Sequence, residues 1–142
     1  MLDVGGHTLG HIAYVFDAEV IGFVGDALFS MGCGRLFEGT PQQMWTSLSK
    51  IAALPADATL YCAHEYTEGN ARFALSVDAD NSDLQERAAE VARLRAAGRP
   101  TVPMRLDVEL RTNPFLRAPQ ILPQLSAVDA FADLRKRKDN FK

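Results

Sequence analysis

Cysteine, histidine and tryptophan are scarce in this chain, and the first two shortages are informative. Two cysteines, Cys33 and Cys62, are too few for the disulfide framework on which small secreted domains depend, so a reducing compartment is the simpler expectation. No apolar run approaches the roughly 20 residues of a membrane-spanning helix. The opening Met-Leu-Asp-Val-Gly-Gly lacks the basic and apolar regions of a secretory signal. We therefore expect a cytoplasmic protein with no membrane partner. A net charge of −3 gives no global reason to bind nucleic acid. Internal repeats and low-complexity tracts are also missing. At 142 residues and 47% hydrophobic, the chain can bury a core as one ordinary domain or two small ones.

The three histidines all fall in motif-like segments: His7 and His11 in Gly5-Gly6-His7-Thr8-Leu9-Gly10-His11, and His64 in Cys62-Ala63-His64-Glu65-Tyr66. Imidazole is the commonest protein ligand of zinc, and a carboxylate such as Asp26 can join it or bridge two ions. His7, Asp26 and His64 are thus a candidate metal-binding set. His7 and His11 stand four apart, which on a helix would align them, but Gly5, Gly6 and Gly10 oppose helix here. One of the two is then the ligand, with the other packing or hydrogen-bonding behind it.

Ile12–Phe16 and Val20–Val24, rich in β-branched and aromatic residues and separated by a short polar link, predict a β-hairpin. The second run is apolar throughout, which predicts a strand buried on both faces, and it ends in Gly25-Asp26, a carboxylate at a strand terminus. Asp26 there can cap the following turn or ligate a metal. In the glycine-punctuated loop Ser30–Gly39, Arg35 is the only cation, either a solvated charge or a fork for carboxylates. Thr40-Pro41-Gln42-Gln43 is a capping box opening a helix from Pro41 to about Ala53, with Trp45, Leu48 and Ile51 or Ala52 on its core side. Thr59–Cys62 reads as a strand that delivers His64 as the earlier one delivers Asp26.

Beyond Thr67 the pattern is helical. Glu68–Val77 forms one helix, and Ser82-Asp83-Leu84-Gln85 is a second capping box opening another that runs to about Ala97. Leu84, Ala88, Val91 and Leu94 or Arg95 give it a modest apolar stripe, and Arg93 and Arg95 read as solvated. Met104–Arg111 predicts a short helix broken at Asn113-Pro114, and Ser126 caps a last helix over Ala127–Phe141. Its basic end, Arg135-Lys136-Arg137-Lys138, admits three readings. It is a solvated face, a nucleic-acid or targeting patch, or an anion site in which Arg135 and Lys138, three apart, share a face.

Taken in order, GGHTLGHIAYVF, GDALFSMGCGRLFEGTPQQMW, YCAHEYTEGNARFAL, NPFLR and RKRKDNFK resemble the C-terminal portion of glyoxalase II, the hydroxyacylglutathione hydrolase of the metallo-β-lactamase superfamily. The resemblance implies an α/β fold: the C-terminal half of a metallo-β-lactamase αββα sandwich over about residues 1–65, then a small all-α substrate-binding domain over 66–142. It implies hydrolysis of S-D-lactoylglutathione to glutathione and D-lactate at two zinc ions, iron or manganese being the other metals. His7, Asp26 and His64 would be ligands, with Asp26 bridging. Arg35, Phe37, Tyr66, Arg135 and Lys138 match positions that contact glutathione, the last two at its glycine carboxylate.

The departures from the family pattern are Ala27 where Thr is usual, Phe37 where Tyr is frequent, and GGHT in place of TPGHT. The family's THxHxDH loop does not occur, and three ligands fall short of the roughly seven that a binuclear site takes. The expectation is that this chain alone is inactive or nearly so, and is completed by a longer protein or a complementing N-terminal half. Exposed strand surface would also drive self-association. The competing expectation is a non-catalytic glutathione- or partner-binding remnant of the enzyme.

Overall fold

The computed structural model describes residues 1–142. Large and small side chains alternate along Ile12–Phe16 (β2), so one face of the strand is bulky and the other close-packed. It pairs antiparallel with Leu2–Asp3 (β1) on one side and Ile21–Gly25 (β3) on the other, with Tyr14 opposite Phe23. Beyond β3, Leu28–Phe29 (β4) and Gly32–Cys33 (β5) form a separate small hairpin. The capping box at Thr40 is made in full, and its helix runs Pro41–Ala52 (α1). Thr59–Cys62 (β6) then lies parallel to β3. The chain between them is the long crossover that parallel pairing demands.

The helical part comprises Thr67–Val77 (α2), Ser82–Ala96 (α3), Leu106–Thr112 (α4), Ala118–Ile121 (α5) and Ala127–Asp139 (α6). Asn81, not Ser82, caps α3. Its side chain accepts from the Leu84 N–H at 3.2 Å, while its amide reaches Asp78 Oδ2 and the Arg111 carbonyl, both at 2.8 Å. The local bond to Asp78 and the long-range bond to Arg111 decide the cap against the capping-box pattern. The helix expected from Met104 also starts later. Met104–Arg105 (β7) pairs antiparallel with β6 instead, and Leu106 N–H and Asp107 N–H donate to the Ala58 and Ala56 carbonyls at 3.0 and 2.7 Å. The sheet order is therefore β1-β2-β3-β6-β7. No helix is long and apolar enough to cross a membrane.

One sheet face is buried. Ala13, Val24, Leu60 and Met104 join Met44, Leu48 and Ile51 of α1 in a core that continues into Phe73, Phe115, Phe131 and Leu134 of the helical part. The aromatic rings form a chain, with centroids 5.9 Å apart for Phe73 and Phe115 and 6.0 Å for Phe115 and Phe131; Trp45 packs half-buried on Phe131. The other face is bare. Tyr14, Phe16, Phe23 and Tyr61 are 53%, 50%, 46% and 39% exposed, and Phe23 stacks on Tyr61 at 5.0 Å. This corrects the expectation that β3 is buried on both faces: Val24 is covered, whereas nothing lies over Phe23.

Candidate active site

Because β3 and β6 run in the same direction, their C-terminal ends lie side by side. Gly25 is opposite Cys62, and the Ala63 N–H donates to the Gly25 carbonyl at 3.0 Å. The next residues along each strand reach one another, with His64 Nε2 3.1 Å from Asp26 Oδ1. Gly25 makes the turn possible. It sits at a bulge with φ of +55°, and a Cβ there would lie 2.7 Å from His11 Nε2. That nitrogen accepts from the Asp26 N–H at 3.1 Å, so His11 stands behind the site and orients Asp26.

His7 faces the same space. Its Nδ1 is 2.8 Å from the Arg35 carbonyl, and since a carbonyl only accepts, Nδ1 carries the proton and Nε2 keeps its lone pair. This is how a metal-ligating histidine is usually oriented. Gly34 has no side chain to intrude between these groups: a Cβ there would collide with the Asp26 carbonyl oxygen and lie 2.9 Å from His7 Nδ1. The donor types suit zinc, iron or manganese. The count does not, because no three of the His, Cys, Asp and Glu side chains converge closely enough to hold an ion. Asp26 and His64 lie against each other instead, as a close acid–imidazole pair.

Aromatic rings frame this pair. Tyr66 stacks on His64 with centroids 4.7 Å apart and an angle of 15°, and Phe29 meets both rings at 5.9 and 5.3 Å. Phe37 lies against His7 at 4.9 Å.

The β4–β5 turn that presents Phe29 and Cys33 to Arg35 is gripped from beneath by helix α4. The fully buried Glu109 accepts from the Ser30 hydroxyl at 2.9 Å and the Met31 N–H at 2.8 Å. Asn113 Nδ2 lies 3.0–3.1 Å from the Phe29 and Gly32 carbonyls and from Glu109 Oε2. Asn70 donates to the Ser30 carbonyl at 3.1 Å. Burial pushes the Glu109 carboxyl above its usual range, against the pull of these donors. The grip holds Met31 at φ of +53°, a conformation unfavourable to a side chain.

The basic tail divides by face. Arg135 is 5% exposed; its Nη1 donates to the Cys33 carbonyl at 2.8 Å, and its other nitrogens bond Asp139 Oδ1 at 2.8 and 3.1 Å. Arg35 approaches the same carboxylate oxygen at 4.0 Å. Half-buried Lys138 lies beside them, held below the ordinary lysine range first by burial and then by Arg135 and Arg35. Lys136 and Arg137 face solvent. The solvated-face reading therefore fails for Arg135 and Lys138 and holds for their neighbours. Arg135 also lies 3.6 Å from Cys33 Sγ, yet burial prevails and pushes that thiol up to about 11. Burial raises Cys62 as well, and its thiol donates to the His64 carbonyl. Neither is a reactive thiolate.

His7, Asp26, Arg35, Phe37, His64, Tyr66, Arg135 and Lys138, drawn from five segments of sequence, line a single cavity of about 680 Å³. A family profile described as "Hydroxyacylglutathione hydrolase C-terminus" matches residues 65–141, more than half of the chain. The chain belongs to this family. Relatives named hydroxyacylglutathione hydrolase are 55% identical over 143 residues in Maricaulis maris, 55% over 148 in Ruegeria pomeroyi and 51% over 149 in Methylococcus capsulatus. These matches cover 96%, 99% and 100% of this chain but 56%, 58% and 58% of the relatives, so the chain spans little more than half their length.

The residues singled out from the sequence do not make up the whole cavity wall. Glu65, Glu68, Asn70 and Arg95 line it too, and sequence reasoning passed over them. Arg95, read as solvated, turns its side chain into the cavity from the last turn of α3. Glu109 and Asn113 carried a faint signal, since a carboxylate and an amide four residues apart on a helix are apt to bond across one turn.

Proposed function

We propose that this chain forms the glutathione-gripping part, and a share of the metal ligands, of a hydroxyacylglutathione hydrolase. The reaction would be hydrolysis of S-D-lactoylglutathione to glutathione and D-lactate. What supports this most is the lining of one cavity by two kinds of group: the Asp26–His64 pair with His7, and the cations Arg35, Arg135 and Lys138. A glutathione thioester carries both matching parts, a reactive acyl carbon and a peptide carboxylate.

In this reading Arg135 and Lys138 take the glycine carboxylate, with Arg35 alongside, while Tyr66 and Phe37 flank the peptide. Phe37 contributes ring contact without a hydroxyl. Asp26 and His64, with His7 through Nε2, would hold an ion of the zinc, iron or manganese kind. Such an ion, with further ligands from outside this chain, would supply Lewis-acid polarisation of the thioester carbonyl and would acidify water. His11 keeps Asp26 in place through its backbone. The acyl C–S bond breaks, the acyl carbon takes the water oxygen, and the thiolate leaves.

A second reading, a non-catalytic glutathione-binding module, is favoured by the failure of three donors to converge. Assay of the purified chain with S-D-lactoylglutathione and added zinc separates the two. Zinc-dependent turnover abolished by Asp26→Ala and His64→Ala supports the hydrolase. Calorimetric binding of glutathione with no metal stoichiometry and no turnover supports the module, and absence of both sinks the glutathione reading. Cytoplasmic residence fits either, as both cysteines are free. The bare aromatic sheet face would be covered by a second copy in the isolated chain, or by a complementing N-terminal half.

A further inference from the structure

His64 and Tyr66 hang from a short stretch that belongs to no regular element, since β6 ends at Cys62 and α2 begins at Thr67. The Ala63 N–H is spent on the Gly25 carbonyl, and Tyr66, the N-cap of α2, makes no side-chain capping bond. Ring contacts alone do not anchor the stretch: His64 and Tyr66 stack on each other and would move together. Apart from the contact of His64 with Asp26, the side chains of residues 63–66 hydrogen-bond to one distant residue, Thr101, and they do so through Glu65.

The Thr101 N–H donates to Glu65 Oε2 at 3.1 Å, and the Thr101 hydroxyl donates to Oε1. With that proton committed to a carboxylate, the Thr67 hydroxyl, 2.6 Å away, is the donor to the Thr101 oxygen. Both threonines are buried, which strengthens the chain of bonds and makes a missing partner costly. Thr101 is itself held from two sides. Arg87 of α3 donates to its carbonyl at 2.9 Å, and Met104, three residues on, pairs with Leu60 of β6. The loop between α3 and β7 is thus a fixed support, and Glu65 ties the stretch bearing His64 and Tyr66 to it.

We infer that Glu65 and Thr101 are positioning residues, which seat His64 against Asp26 and Tyr66 against Phe29 by fixing the backbone that carries both rings. This rests on reading the cavity as the glutathione site. It adds that a threonine outside the cavity lining sets the aim of two groups within it. Truncating Glu65 leaves β6 and α2 anchored through Leu60 and Phe73 in the core, so the fold persists while the two rings lose their common footing.

Carbon–proton NMR of the full chain tests the assignment, because three histidines and three tyrosines give few enough ring peaks to follow singly, His64 being assigned by its loss in His64→Gln. Glu65→Ala is expected to move and broaden the His64 and Tyr66 peaks and leave those of His7 and His11 in place. Thr101→Val, which keeps the N–H but loses the hydroxyl, should do the same to a lesser degree, and Thr101→Ser, which retains the hydroxyl, should match the wild type. Calorimetric affinity for S-methylglutathione should fall about three- to tenfold in Glu65→Ala and stay unchanged in Thr101→Ser. Unmoved His64 and Tyr66 peaks overturn the inference and leave the glutathione reading standing. So does a shift shared equally by His7 and His11, which marks general loosening. If Glu65→Ala does not fold, the peaks of Thr101→Val decide. A wild type that binds no S-methylglutathione removes the glutathione reading and the role given to the tie with it.

Discussion

Half-buried beside two guanidiniums, Lys138 gives up its proton below the ordinary 10.5 of a lysine, so the share in anion binding proposed for it would be sensitive to alkali. The charge is complete below the lowered value and is lost as pH rises through it. Affinity for S-methylglutathione is accordingly expected to fall as pH rises, before an unperturbed lysine would have lost its charge. Lys138→Arg, which keeps its charge, should remove that part of the fall, and Lys138→Met should bind about three- to tenfold more weakly near neutrality. Calorimetric titrations at stepped pH check this, and identical pH profiles for wild type and Lys138→Arg would refute it. At this scale the readable residues were those whose chemistry is unusual for their setting, such as Asp26 just after one largely apolar strand and His64 shortly after another. Arg95 was not readable, because a helix-end arginine looks the same in sequence whether it meets water or a cavity.

Helix α4 acts as a clamp on the turn beneath the cavity. Glu109 and Asn113, one helical turn apart and both fully buried, bond the backbone of Phe29–Gly32. Truncating Glu109 would leave the buried Met31 N–H and Ser30 hydroxyl without an acceptor. Glu109→Ala should therefore cost at least about 3 kcal/mol. Urea unfolding with an unchanged slope measures that loss, and a cost under about 1 kcal/mol would mean the turn holds itself. Elements with local causes were legible: the hairpin from its apolar runs, α1 from its capping box, and α6 from Ser126, which accepts from the Asp129 N–H at 3.1 Å. Strand β7 was not. Two residues carry no periodicity, and Met104–Arg105 are extended only because Thr59–Leu60 waits 45 residues earlier in the chain to pair with them.

The molecule as a whole pairs a well-filled core with an uncovered sheet face. Tyr14, Phe16, Phe23 and Tyr61 form a contiguous aromatic surface of the kind that associates. The isolated chain is expected to elute as a dimer or larger species in size-exclusion chromatography with light scattering. Phe23→Thr with Tyr61→Thr, polar residues that still suit a strand, should shift it towards monomer. A wild type that stays monomeric at high concentration would count against this. The outline, a sheet followed by helices, was visible in the change of pattern after Thr67. The bareness of this face was not, for Val20–Val24 reads as apolar whether or not anything covers it.

A single apolar core anchors both the strands that end in Asp26 and His64 and the helix that bears Arg135 and Lys138. The gap between the Asp26–His64 pair and the Arg135–Lys138 pair is consequently a built dimension, set when the chain folds. The protein acts as a gauge to which a visiting molecule must be cut.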